Sequence, residues 1–304
     1  MKTPQGKIWH HLLAASLLLA SLCGAAHGAI TVQDDSGKTL SFASPPQRII
    51  TLMPSLTETV CALGACDRVV GVDRYSNYPE QVRKLPHLGG LDDTQVESIF
   101  ALKPDVVIAA TSSRVQDRLA ALGLKVMVLE TRSQADVQRT LKNLGALLGV
   151  ADAQKIWQRI DGAVTEAAAT VPASMRGLRV YYEVDSAPYA AGESSFIGET
   201  LARLGLRNIV DKSLGPFPKL NPEFVVRADP QLIMVSQRSG GNLSSRPGWA
   251  NISAIRDHHI CIFKPEESEL LTRPGPRMAE SAAIMARCLR EMAVAKPTGG
   301  TATP

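Results

Sequence analysis

The chain has 304 residues, 45% of them hydrophobic and 20% charged, which excludes intrinsic disorder and fibrous repeats and allows one large or two medium domains. Its formal net charge is +4, but Lys2 and Lys7 stand in the first 28 residues, and setting them aside leaves 31 basic against 29 acidic groups. A nearly balanced chain with no run of five like charges lacks the electrostatic footprint of a general nucleic-acid binder.

Residues 1–28 read as a secretory signal. Lys2 and Lys7 supply a positive start, Leu12 to Cys23 is an uncharged apolar run, and Ala26-His27-Gly28 offers small residues for cleavage before Ala29. The run falls short of the ~20 apolar residues a spanning helix needs. The mature protein is therefore expected in the periplasm. Cys23 could be a lipid-attachment site, but Leu22 before it is not the small residue such signals use, so a lipid anchor is not expected.

Short runs of Val, Ile, Leu and aromatics then alternate with helical patterns. Strands are expected at Arg48–Met53, Val69–Asp73, Val106–Ala110, Lys125–Glu130, Arg179–Val184, Leu232–Ser236 and His259–Phe263. Helices are expected at Leu56–Leu63, Gln95–Leu102, Val115–Leu122, Ala135–Leu148 and Glu199–Leu204, with Ser55 and Glu58 as a capping box for the first. Such alternation predicts an α/β fold with mostly parallel sheets.

The chain also nearly repeats itself. Glu58–Gly64 matches Glu199–Gly205 at Glu, Thr, Leu and Gly. Glu97 stands seven residues before Pro104, as Glu223 does before Pro230, and each proline leads into a strand. Val126–Glu130 parallels Ile260–Phe263. The same order in both halves predicts two similar Rossmann-like lobes, residues 29–149 and 175–295. Between them, residues 150–174 hold one long helix, Ala151–Val171, with Ile156, Ile160, Ala163, Val164 and Ala167 on one face. Pro172 stops it. The polar tail, residues 296–304, is expected to be disordered.

Catalytic signatures are missing. There is no GxSxG, Walker loop, GxGxxG after a strand, or HExxH. No metal site is expected, because the four later thiols contain no CxxC and histidines are few. Cys61, Cys66, Cys261 and Cys288 are either buried thiols or disulfides, with Cys61/Cys66 and Cys261/Cys288 as candidate pairs. What the loops do carry is binding chemistry. In open α/β sheets ligands sit beyond the carboxyl ends of strands. Tyr75, Tyr78 and Tyr189 follow strands, Phe217 sits in a proline-rich loop, and Glu269 and Arg273 follow the last strand. With aromatics only 5% of the chain, this placement predicts a cleft for a large, partly apolar ligand.

These features resemble the periplasmic binding proteins of the rigid-helix class, which serve ABC importers of metal chelates. The likeness is carried by Pro54-Ser55-Leu56-Thr57-Glu58, Val70-Gly71-Val72, Tyr75-Ser76-Asn77-Tyr78-Pro79, Ala101-Leu102-Lys103-Pro104-Asp105, Pro247-Gly248-Trp249 and Arg273-Pro274-Gly275-Pro276-Arg277. It runs from about Arg48 to Arg290 and is strongest toward cobalamin-binding subunits, with the Tyr-Ser-Asn-Tyr-Pro segment the most specific piece. The resemblance implies a non-enzymatic, monomeric receptor that delivers a corrinoid to a permease and its ATPase. It places Tyr75, Leu91, Tyr189, Phe217, Glu269 and Arg273 at the ligand, and Glu97 and Glu223 on the lobe tips against the permease. Phe217 and Leu91 replace tryptophans and Glu269 replaces an aspartate of the family pattern, which removes stacking area. Haem is the alternative ligand, with Tyr75, Tyr78 or His87 as axial candidates. A ferric siderophore would want several cleft cations, and an exported enzyme would need a nucleophile and base.

Overall fold

The computed structural model describes residues 29–185 and 188–294. The leader, Cys23 and the 296–304 tail lie outside the described residues.

A short antiparallel hairpin, β1 (Ile30–Gln33) and β2 (Thr39–Phe42), opens the chain. The turn is built by the Asp34 carboxylate, which accepts from Ser36 N, Lys38 N and, across the domain, Val128 N. The first lobe then winds through β3 (Ile49–Thr51), α1 (Pro54–Ala62), β4 (Val69–Val72), α2 (Val96–Ala101), β5 (Val106–Ala110), α3 (Gln116–Ala121), β6 (Val126–Leu129) and α4 (Gln134–Leu148). Its four strands are parallel, in the order β4-β3-β5-β6. All five residues of β5 are buried, which is why the sequence there is unbroken Val, Ile and Ala rather than alternating.

Helix α5 (Ala153–Ala169) leads across to the second lobe. Its 17 residues span about 25 Å. The apolar stripe is Ala153, Ile160, Val164 and Ala168, rotated slightly from the expected one, and it packs on α4 and the last helix. The second lobe follows: β7 (Arg179–Asp185), β8 (Tyr189–Ala190), α6 (Phe196–Arg203), β9 (Arg207–Asn208), α7 (Pro222–Ala228), β10 (Leu232–Ser236), α8 (Gln237–Gly240), α9 (Ser253–Arg256), β11 (Ile260–Phe263), α10 (Pro265–Leu271) and α11 (Met278–Val294).

The repeat appears in the topology. Strands β9, β7, β10 and β11 pair in parallel in that order, and each is the counterpart of β4, β3, β5 and β6. The second lobe adds only β8, antiparallel to the far end of β7. One apolar core runs through both lobes, from Val32 and Ile108 to Met234 and Leu289, and each sheet has a further cluster on its other face. The Cys61 and Cys66 sulfurs are joined at 1.98 Å, tying the end of α1 to the turn before β4. Cys261 is joined to Cys288 at 2.05 Å, tying β11 to α11.

One expectation is corrected here. Ser55 and Glu58 do not form a capping box: α1 begins at Pro54 with Met53 as its N-cap and no side-chain cap bond. Proline suits the first helical turn because its missing N–H would be unpaired there anyway. That leaves the Glu58 carboxylate free to point elsewhere.

Candidate functional site

Both sheets present the carboxyl ends of their strands to a shared cleft. It consists of two adjoining chambers that share Met53, Thr272 and Pro274. The first, about 420 Å³, is lined by the first-lobe loop after β4 and by the segment after α10. The second, about 320 Å³, lies between the loops after β5 and β6 and the start of α6.

The first chamber is the more polar of the two. Its loop is fixed by the buried Asp73 carboxylate, which accepts from Tyr75 N at 2.8 Å and from the Ser76 hydroxyl. Ser76 Oγ lies 2.7 Å from Thr57 Oγ1, which lies 2.7 Å from Thr51 Oγ1, so a hydroxyl chain pins the loop to α1 and β3. Burial pushes the Asp73 carboxyl up, against the pull of the Ser76 and Tyr75 bonds. The result is a stiff turn that holds the Tyr75 ring out into the cleft, 61% exposed. Arg74 beside it is paired with Asp93.

The second chamber is more apolar. Phe217 packs on Phe196 with ring centroids 6.0 Å apart, and Val184 and Ile197 add to the wall. The polar rim is Thr111, which donates to Glu130 at 2.8 Å, and Arg132, which pairs with the same carboxylate at 3.1 Å.

Arg273 lines the first chamber but is held by the protein. It is only 9% exposed, and its guanidinium is committed to protein partners. Nη1 donates to Glu58 Oε1 at 2.9 Å and Asn77 Oδ1 at 2.8 Å. Nη2 donates to the Tyr75 carbonyl at 3.1 Å and Glu269 Oε2 at 3.2 Å. Glu269 also accepts from Asn77 Nδ2 at 3.0 Å. Tyr75, Glu269 and Arg273 therefore meet in the first chamber and Phe217 lines the second.

Leu91 and Tyr189 are not brought to either chamber. Leu91 is half-exposed on its own loop, and Tyr189, on β8, is faced by Lys219 at 6.0 Å. Of the axial candidates, the Tyr78 ring is covered by the Arg277 guanidinium at 4.0 Å. His87 is turned toward the Asp73 and Arg83 carbonyls. Tyr75 is thus the candidate whose phenol faces the cleft. Glu97 and Glu223 are both exposed, in the first turns of α2 and α7. Sequence reading missed Met53, Arg74, Arg132 and Phe196. Thr131 and Arg132 lie in the loop that begins one residue after β6, so the rule about strand ends could have found them.

Among the described residues no helix is long and apolar enough to cross a membrane, and no group of three or more His, Cys, Asp or Glu is placed to hold a metal. Comparison with known proteins agrees with the architecture. An uncharacterized ABC transporter substrate-binding lipoprotein of Bacillus subtilis, YvrC, is 27% identical over 306 residues, covering 93% of this chain and 96% of that one. The crystal structure of the periplasmic vitamin B12 binding protein BtuF of Vibrio cholerae superposes with a TM-score of 0.68 at 25% identity, covering 82% of this chain and 98% of that one. A periplasmic heme binding protein from Pseudomonas aeruginosa superposes with a TM-score of 0.69 at 25% identity, covering 80% and 92%. The family model described as periplasmic binding protein matches residues 49–267, and the chain belongs to that family of transport components, which is not a family of enzymes.

Proposed function

We propose that the protein is the periplasmic substrate-binding component of an ABC importer and that its cargo is cobalamin or a related corrinoid. The observation that carries the ligand reading is the charge state of the cleft. Its cations are already neutralised: Arg273 by Glu58 and Glu269, Arg74 by Asp93, and Arg132 by Glu130. What remains available is the Tyr75 face, the Phe217 wall, and hydroxyl groups such as those of Ser112 and Thr131. That lining suits a large macrocycle with neutral amide arms better than a carboxylate-rich siderophore, whose charge would need free cations. The likeness to the vitamin B12 binding protein of Vibrio cholerae supports the same choice.

Haem is the second reading, favoured by one feature: the exposed Tyr75 phenol offers an oxygen ligand inside the cleft. Titration calorimetry with cobalamin, cobinamide and haemin separates the two. A corrinoid that binds at micromolar concentration or tighter supports the first reading. A shifted Soret band lost in Tyr75→Ala, with no heat from either corrinoid, supports haem in its place.

Delivery is assigned to Glu97 and Glu223, equivalent positions of the repeat that stand exposed on the two lobes and would meet permease cations. Replacing both with arginine is expected to leave ligand affinity unchanged and abolish uptake in a reporter strain. The leader read in residues 1–28 fits export to the periplasm.

A further inference from the structure

The repeat equates Glu58 with Glu199, each on the first helix after the first strand of its lobe. In the structure both carboxylates reach across the cleft floor to the opposite lobe. Glu58, on α1 of the first lobe, accepts from Arg273 of the second at 2.9 Å. Glu199, on α6 of the second lobe, accepts from the Gln134 backbone N–H of the first at 2.6 Å. The second contact is reinforced around it: Phe196 N donates to the Arg132 carbonyl at 2.7 Å, and Gln134 Nε2 donates to Thr200 Oγ1 at 3.1 Å.

Each contact lies under one chamber. Arg273 and Ser55 form the floor of the first, and Arg132 and Phe196 line the second. A carboxylate carried by each lobe and gripping the other is what a pseudo-twofold hinge requires. One helix alone restrains the lobes along a single line, whereas two reciprocal contacts on either side of the cleft floor fix its width.

We infer that Glu58 and Glu199 are paired positioning residues that clasp the lobes and set the cleft width for the ligand. Neither needs to touch the cargo. Glu58 acts through Arg273, which in turn holds the Tyr75 carbonyl and Asn77, so the clasp also aims the Tyr75 ring. Only the ligand arm of the test rests on the corrinoid reading.

The Phe196 and Gln134 amides cross between lobes, so their hydrogen exchange reports opening directly. Glu58→Ala, a change at the other seam, is expected to speed exchange at both amides about tenfold while Val107 and Met234, in the two sheets, stay unchanged. Glu199→Ala should do the same, and Glu199→Gln, which keeps an acceptor for Gln134 N–H, should restore protection. With cobalamin as probe, Glu58→Ala should raise the dissociation rate about tenfold and change the association rate less than about threefold.

Unchanged exchange at Phe196 and Gln134 in Glu58→Ala overturns the inference. So does faster exchange throughout both sheets, which would make Glu58 a general stability residue. If Glu58→Ala does not fold, Glu58→Leu, which fills the same space without an acceptor, replaces it, with the same amides as the readout. Absence of cobalamin binding by the wild type sinks the cargo assignment and leaves the exchange result standing.

Discussion

The two seams beneath the cleft do the same job with different chemistry. At the first, Glu58 is 3% exposed and meets a guanidinium, so two charges are taken out of water together. At the second, Glu199 is half-buried and meets a backbone N–H at the start of α4, where the helix dipole also favours a carboxylate. The first seam is specific and costly, because a buried charge pair tolerates no missing partner. The second is forgiving, because water or a neutral acceptor can replace the carboxylate.

The largest expected consequence is at the first seam. Arg273→Ala removes the guanidinium bonded to the buried Glu58 carboxylate, leaving only Arg277 at 4.0 Å opposite it, and should destabilise the protein by about 3 kcal/mol, the lower end for a broken buried pair. Read by denaturant unfolding, a loss under about 1 kcal/mol would show that water already reaches this seam. Glu199→Ala removes one charge-assisted bond from a half-exposed site, and about 1–2 kcal/mol is expected. If the two losses came out equal, the contrast between the seams would collapse.

The chambers differ in the same sense, and Tyr75 and Phe217 sharpen the point. Tyr75 stands out in the cleft, so Tyr75→Ala should change stability by less than about 0.5 kcal/mol yet weaken corrinoid binding about tenfold or more. Phe217 also packs on Phe196, so Phe217→Ala should lower affinity and stability together. Calorimetry and thermal unfolding on the same two variants check this. A stability loss in Tyr75→Ala as large as that in Phe217→Ala would mean the ring is part of the fold.

How much of this could be read from residues depends on how local the cause is. The strands are legible because burial on both faces demands runs such as Val106–Ala110, and their order follows from the repeat. The position of Tyr75 is legible for a similar reason, since it directly follows β4 in a parallel sheet. The role of Glu58 is not. Its spacing from Ser55 imitates a cap, but its partner lies 215 residues away, and no local pattern records that distance. The partners of Arg273 are hidden for the same cause: its place after the last strand brings it to the first chamber, but nothing local records that Glu58, Asn77 and Tyr75 enclose it. Leu91 is placed by loop conformation and Tyr189 by the short β8 strand that folds back on β7, neither of which sequence periodicity encodes.

The smallest effect, and the one that tests the energetics of the seams most directly, is their pH dependence. Burial pushes the Glu58 carboxyl up despite the opposing hydrogen bond and charge of Arg273. Burial likewise pushes Glu199 up despite the Gln134 backbone bond. An acid whose folded pKa exceeds its unfolded value binds its proton more tightly in the native state. Its ionisation therefore costs stability above that folded value, and the cost is relieved as pH falls toward the ordinary glutamate value near 4.3. Asp136 runs the other way. Burial alone would raise it, but the Ser133 backbone and hydroxyl and the Arg139 guanidinium hold it below the ordinary range. Its contribution is present above the unfolded aspartate value near 3.9 and is lost as pH falls through its folded value. Asp73, also pushed up by burial, acts in the same sense as the glutamates, so unfolding free energy from these three groups should rise modestly as pH falls from their folded values toward about 4, and the Asp136 contribution is lost below that. In Glu58→Gln, which is always neutral and leaves the buried Arg273 charge with only the half-exposed Glu269, stability at pH 7 should fall, and the rise on acidification should shrink. A variant that keeps the full rise would show that Glu58 does not carry it, which removes the first seam from the pH dependence.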